Sequence, residues 1–85
     1  MSQEEVYKIL IELGGSASTK QVSALLEERF PALGLHVYVT RTLKRMERQG
    51  YIEHTLSDRW RILRANTPNW ATEMLETKQQ SGASR

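Results

Sequence analysis

Apolar residues recur at helical spacing in the first part of the chain. In residues 3–13 they stand at positions i, i+3, i+4 and i+7, which predicts an amphipathic helix. The stripe consists of Val6, Ile9, Leu10 and Leu13. Gly14 and Gly15 follow, and we expect them to end this helix.

A second helix is predicted over about residues 19–29. Ser18 and Gln21 have the spacing of a capping box, in which a serine oxygen accepts the N3 amide while the N3 side chain reaches back. The apolar stripe of this helix consists of Val22, Leu25, Leu26 and Phe30. Pro31 stops it, and residues 32–34 are expected to turn the chain.

The pattern changes from helical to alternating after the third periodic stretch. That stretch, about residues 36–49, places Val39, Leu43 and Met46 on one side and precedes Gly50, a residue typical of the position after a helix. Residues 51–54 and 59–63 are then rich in aromatic and β-branched residues around a polar connection, which predicts a β-hairpin.

Thr67 followed by Pro68 predicts the start of a last helix, which carries Trp70 and Met74. We divide the chain into a domain over residues 1–65, a C-terminal helix over 66–79 and a disordered tail over 80–85. The fold class is α+β, mainly helical with a small antiparallel hairpin, in the order helix, short strand, helix, helix, hairpin, helix. The short strand is the segment 16–18, which is too brief to stand alone but suited to extend a sheet.

Composition narrows the class of protein. Eighty-five residues suffice for one small domain, and without cysteine neither disulfides nor thiolate metal sites supplement its core. The first ten residues carry Glu4 and Glu5 where a secretion signal is basic, and no apolar run approaches the roughly 20 residues of a membrane span. We therefore expect a soluble, cytoplasmic protein with no membrane partner.

Charge is distributed unevenly, although the net charge is only +2. Residues 1–35 carry three lysines and arginines against five carboxylates, whereas residues 36–64 carry seven against three. Such polarity is expected when one side of a molecule meets phosphates.

Three segments of the chain resemble winged helix-turn-helix DNA-binding domains over roughly residues 3–64. They are the second helix STKQVSALL, the third helix with the strand that follows it, VTRTLKRMERQGYI, and the returning strand DRWRIL. The resemblance implies a winged-helix fold and the sequence-specific binding of double-stranded DNA by a small prokaryotic-type transcriptional regulator. It also implies that the third helix enters the major groove while the hairpin, the wing, touches the DNA backbone.

The third helix carries four cations on the side opposite its apolar residues. At about 100° per residue, they lie roughly 140° to 240° from Val39. These residues, which we call the basic face, are Arg41, Lys44, Arg45 and Arg48. Like charges at such spacing repel one another by a few tenths of a kcal/mol per pair, which favours an external anionic partner over an ordinary solvated surface. Val37, Tyr38 and Thr40 are predicted to extend this DNA-binding face.

Two further cations stand on the wing. Arg59 and Arg61 lie on one face of the second strand by its period of two, and we expect both to contact phosphates. Trp60, on the other face, is either a core residue, which alternation with Ile62 favours, or a stacking group for a base.

Thr19 and Lys20 stand at the start of the second helix, where free amides favour a phosphate. Helix capping alone also explains a threonine at this position.

The last helix has two possible roles. Trp70 and Met74 either pack on the first helix or form the seam of a homodimer, and the small number of phosphate contacts available to one domain favours the dimer.

Nothing in the sequence points to an enzyme, a metal or a cofactor. Neither His36 nor His54 has a partner at i+3 or i+4 that would place two metal ligands on one helix face, and His54, Ser57 and Asp58 are too close on one hairpin for triad geometry. The alternative to DNA binding is a winged helix that acts as a protein-interaction module in a larger complex.

Overall fold

The computed structural model describes residues 3–31 and 36–83, so the turn predicted at residues 32–34 lies outside the described residues. Within those ranges the protein is mainly helical with a small three-stranded antiparallel sheet, as an α+β fold requires. The elements in chain order are α1 (Gln3–Glu12), β1 (Ser16–Ser18), α2 (Thr19–Arg29), α3 (His36–Arg48), β2 (Ile52–His54), β3 (Arg59–Ile62) and α4 (Asn69–Ala83).

The boundary between α1 and α2 is built as the local sequence predicts. Gly14 and Gly15 both have positive φ, and the Gly15 amide donates to the Leu10 carbonyl (2.7 Å), which closes the end of α1. At the start of α2, the Gln21 amide donates to Ser18 Oγ (3.1 Å) and the Ser18 amide donates to Gln21 Oε1 (2.9 Å). The predicted capping box is thus confirmed.

The segment Ser16–Ser18 extends the hairpin to a sheet with strand order β1-β3-β2. Ala17 and His54 lie opposite Trp60, and Ile52 lies opposite Ile62, which places these residues on one face of the sheet. Apart from His54, which is exposed, they are buried in the core. The outer face carries the polar and charged residues of the strands.

The core lies between this sheet and the helices. Val39, Leu43 and Met46 of α3 are fully buried, as the helical spacing predicts. Gly50 ends the helix region with φ near +84°, and a Cβ there would approach Asn66 Nδ2 to 2.9 Å. The positive φ is what favours glycine in the turn from α3 into β2, and a Cβ would in addition displace the Asn66 amide, which donates to the Gly50 carbonyl (3.0 Å).

The last helix differs from the prediction at both ends. A 3-10 turn over Arg64–Asn66 precedes it, the Thr67 hydroxyl donates to the Arg64 carbonyl (3.0 Å), and α4 begins at Asn69. It continues to Ala83, so residues 80–83 are helical where the sequence predicts a disordered tail. No helix within the described ranges has both the length and the apolarity needed to cross a membrane.

Candidate nucleic-acid interface

The basic face of α3 is fully presented to solvent. Its four cations are exposed, while the opposite side of the helix is buried in the core. None of the four forms an ion pair with another described residue. One helix thus carries over about two turns four positive charges that have no ion pair among the described residues, a surface suited to the phosphates and base edges of a nucleic acid.

Tyr38 does not extend this exposed face as predicted. Its side chain is half-buried against the core, and desolvation raises the pKa of its phenol although a hydrogen bond with Thr42 acts in the opposite direction. Thr42, one turn further along, is only 6% exposed. The buried side of α3 is therefore wider on the Tyr38 side than the stripe of apolar residues alone indicates.

Two other residues, Val37 and Thr40, are predicted to lie beside the basic face. Val37 belongs to α3, and its side chain lies outside the described part of the structure. Thr40 is partly buried. Among the described side chains of α3, its arginines and lysine are therefore the exposed candidates for contact with a nucleic acid.

Arg59 has a structural role in the sheet, and its predicted contact with phosphates stays a prediction. Its Nε donates to Ser16 Oγ (3.0 Å) and its Nη2 donates to the Ser16 carbonyl (2.9 Å). The side chain is half-buried as a result. The period of two places Arg59 correctly on the outer face, but pairing of β1 with β3 brings Ser16 within its reach.

Arg61 also has a partner within the sheet. It forms an ion pair with Glu53, the residue directly opposite on β2, and the two side chains are 59% and 37% exposed. Exposed pairs of this kind contribute at most about 1 kcal/mol, so Arg61 remains able to exchange its partner for a phosphate.

Trp60 belongs to the core, and the interpretation as a stacking group for a base is thereby excluded in this structure. The residue is 2% exposed, and its Nε1 donates to Thr19 Oγ1 (2.7 Å). The ring stacks on the imidazole of His54, with centroids 3.9 Å apart and an interplanar angle of 2°. The Thr19 hydroxyl still has its own hydrogen to donate, and Lys20 beside it is exposed, so a phosphate contact at the start of α2 stays a prediction.

The hairpin tip, residues 55–58, carries an apolar residue that sequence reasoning passed over. Leu56 is fully exposed, the one large hydrophobic side chain so placed among the described residues. The tip is ordered by a hydrogen bond from the Asp58 amide to the Thr55 carbonyl (3.1 Å) and by a contact of 2.6 Å between His54 Nε2 and Asp58 Oδ1. In the sequence, the signal that could have identified Leu56 is an apolar residue inside a short polar connection.

The hairpin tip lacks the geometry of a catalytic triad. The Ser57 hydroxyl lies 3.1 Å from the Thr55 hydroxyl, and the His54 imidazole contacts Asp58 instead. Among the described residues, no group of three or more His, Cys, Asp or Glu side chains is arranged to hold a metal ion.

The predicted dimer residues are engaged within their own chain. The Trp70 ring makes T-shaped contacts with the rings of Tyr7 and Tyr51, with centroid distances of 5.2 and 6.2 Å. Met74 packs against the core, and α4 lies on α1. The structure thus has the intramolecular packing that was the alternative to the dimer seam.

Comparison with protein-family models, with curated proteins and with solved structures finds no match to this chain.

Proposed function

We propose that this protein is a winged helix-turn-helix DNA-binding protein, a small transcriptional regulator, whose third helix enters the major groove of double-stranded DNA. The observation that carries the proposal is the basic face of α3, whose four cations are exposed and unpaired among the described residues. Keeping like charges together without an internal partner costs some helix stability, and phosphates would compensate for it.

The topology supports this assignment. A strand after the first helix returns to pair with the second strand of the hairpin, and α3 leads into that hairpin through one glycine turn. This arrangement holds the hairpin beside α3, as a winged helix holds its wing. Because Arg59 is hydrogen-bonded to Ser16, Arg61 is the more available cation of the wing strand β3, and α3 supplies the larger part of the interface.

A duplex titration of a paired set of variants tests the proposal. Arg41→Ala with Arg45→Ala removes two cations of the basic face, and Lys8→Ala with Arg64→Ala removes two exposed cations elsewhere, so the two variants have equal net charge. Affinity for a short duplex is measured by fluorescence anisotropy at several salt concentrations. We expect at least a 10-fold loss for the α3 variant, since each base-reading contact is worth about 1–3 kcal/mol.

The control variant is expected to bind DNA within about 2-fold of the parent, and both variants to keep the parent's stability to within about 0.5 kcal/mol, as is usual for surface substitutions. Equal losses in the two variants would show attraction by net charge alone, without a defined site on α3. A parent that binds no duplex at low salt would refute DNA binding and leave the protein-interaction module as the function.

A further inference from the structure

Leu56 projects from a turn that is held in one conformation. Besides the Asp58–Thr55 bond, the Arg59 amide donates to Thr55 Oγ1 (3.2 Å), and Asp58 occupies the left-handed region with φ near +59°. Leu56 is thus the corner residue of an ordered turn, with its whole side chain in water. Because the backbone of the turn is already ordered, covering Leu56 costs mainly the rotamer freedom of its side chain.

A small pocket with partly apolar walls lies at the opposite end of the hairpin. Its volume is about 130 Å³, and its walls include Ile11, Ile62 and Leu75, each of which keeps 8% of its surface exposed. Gly14 and Gly15 line another side, where a Cβ would meet no atom within 4 Å. Cavities of about 150 Å³ accommodate a benzene molecule, so this pocket has the size for one leucine side chain.

The charges beside the two features are complementary. Asp58, two residues after Leu56, has a side chain that is 76% exposed. Arg64 lines the pocket and is exposed, without an ion pair to another described residue. A leucine inserted with its turn would therefore bring a carboxylate toward a guanidinium.

Leu56 does not reach the pocket of its own chain. Arg59 and Ile62, at the two ends of β3, are separated by about 10 Å at roughly 3.4 Å per residue, and the hairpin tip lies beyond Arg59. If Leu56 fills such a pocket, the pocket therefore belongs to another molecule.

We propose that Leu56 of one copy inserts into the pocket formed by Ile11, Ile62 and Leu75 of a second copy, with Asp58 facing Arg64. The contact is heterologous, because it joins different surfaces of the two copies, and each copy has both surfaces available. It generates head-to-tail chains or rings, in contrast to the two-fold dimer that was predicted through Trp70 and Met74. One side chain buries a small area, so the association is weak.

Disulfide trapping tests this contact without DNA, and therefore independently of the proposed function. The chain has no cysteine, so each introduced thiol is unique. Ser57→Cys places a thiol on the hairpin tip, Ala65→Cys places one beside the pocket, and Glu27→Cys places one on α2 as a control; all three positions are exposed. Pairs of single variants are mixed in a glutathione buffer, and the initial rate of mixed-disulfide formation is measured.

The tip and pocket thiols are expected to join at least about 10-fold faster than the tip and control thiols, a ratio that burial of one leucine side chain supports. Adding Leu56→Ser to the tip variant should reduce the rate to the control level. Arg64→Glu in the pocket variant should slow the reaction, and Asp58→Asn in the tip variant should reverse most of that slowing, since it removes the repulsion between two carboxylates.

Equal rates for the pocket and control positions would overturn the proposal, as would a rate that Leu56→Ser leaves unchanged. If Leu56→Ser leaves the trapping rate unchanged but weakens binding to a short duplex, Leu56 contacts DNA and the proposal is again overturned. All these substitutions lie at exposed positions, and a thermal melt of each variant verifies that the fold is kept.

Discussion

Replacing Arg59 by alanine is expected to destabilise the fold more than it affects DNA binding. The side chain makes two hydrogen bonds to Ser16, one to the hydroxyl and one to the carbonyl, and these join β3 to β1. The substitution Arg59→Ala removes both donors and leaves the Ser16 carbonyl partly buried with one partner fewer. The strand β1 is only three residues long, so it has few other contacts that could compensate.

The size of the effect follows from the exposure of the bonds. A hydrogen bond with a charged partner contributes about 1.5–3 kcal/mol when it is well protected. Here the guanidinium is half-buried, so we expect about 1–2 kcal/mol for the two bonds together. For a domain of this size, 1 kcal/mol corresponds to about 4–8 °C in Tm, which gives a decrease of roughly 5–15 °C.

Arg61→Ala is the matched control, because Arg61 stands two residues away on the same strand face. Its ion pair with Glu53 is exposed, and we expect a loss below about 1 kcal/mol. Arg59→Lys separates charge from geometry: it keeps the positive charge but loses the planar group that bonds to Ser16 at two points. We expect Arg59→Lys to resemble Arg59→Ala in stability.

Urea and thermal unfolding followed by circular dichroism at 222 nm provide the measurement, and duplex titration is carried out well below Tm. If Arg59→Ala melts like the parent while its duplex affinity falls in proportion to that of the basic-face variant, then Arg59 contacts DNA and the structural role assigned to it is wrong. The same conclusion would follow if Arg61→Ala were the more destabilising of the two.

Two further predictions concern α4 and alkaline pH. Trp70→Ala should lower stability by about 2–4 kcal/mol in a monomer, because the ring packs on Tyr7 and Tyr51; sedimentation of a parent dimer that becomes a folded, equally stable monomer would contradict this. Burial raises the pKa of the Tyr7 phenol, so the unfolded chain loses this proton first and stability should fall as pH rises above about 10; urea unfolding at pH 8 and 11 should show a smaller fall for Tyr7→Phe, and an identical fall would contradict it.

Features that depend on neighbouring residues could be predicted from the sequence. The capping box needs only Ser18 and Gln21, and the glycine turn after α3 needs only the conformation of Gly50. The buried stripe of α3 follows from spacing, since Leu43 and Met46 both lie within about 40° of Val39 and must share its side of the helix. The exposure of the basic face follows from that stripe.

Features that depend on distant pairing could not be predicted in the same way. The partner of Arg59 is 43 positions away, and it is defined only when the register of β1 against β3 is known. Alternation along a strand gives the face of a residue but not its neighbour in the next strand. The packing of Trp70 on α1 likewise could not be predicted without the direction in which α4 runs. The sequence left two alternatives for it, packing on α1 and a dimer seam.

Tyr38 shows a third kind of limit. It lies about 100° from Val39 on α3, at the border between the buried and exposed sides. The long ring can turn either way from such a position, and burial of Thr42 at i+4 indicates that the core extends toward that side. A helical wheel gives the angular position of each Cα atom around the helix axis, but it does not determine the direction of a large side chain.

The three consecutive residues of β3, Arg59, Trp60 and Arg61, each bond to a different element of the fold. Arg59 donates to β1, the indole of Trp60 donates to the first residue of α2, and Arg61 pairs with β2. A strand that reads as basic in the sequence therefore joins the sheet to the helix against which α3 packs. The Gly50 turn also links α3 to β2, which pairs with β3. The strand β3 therefore supports α3 in two ways, through β2 and through α2. The residues of β3 that make these bonds and the cations that α3 presents to solvent are thus separate sets, and the basic face has no ion pair among the described residues.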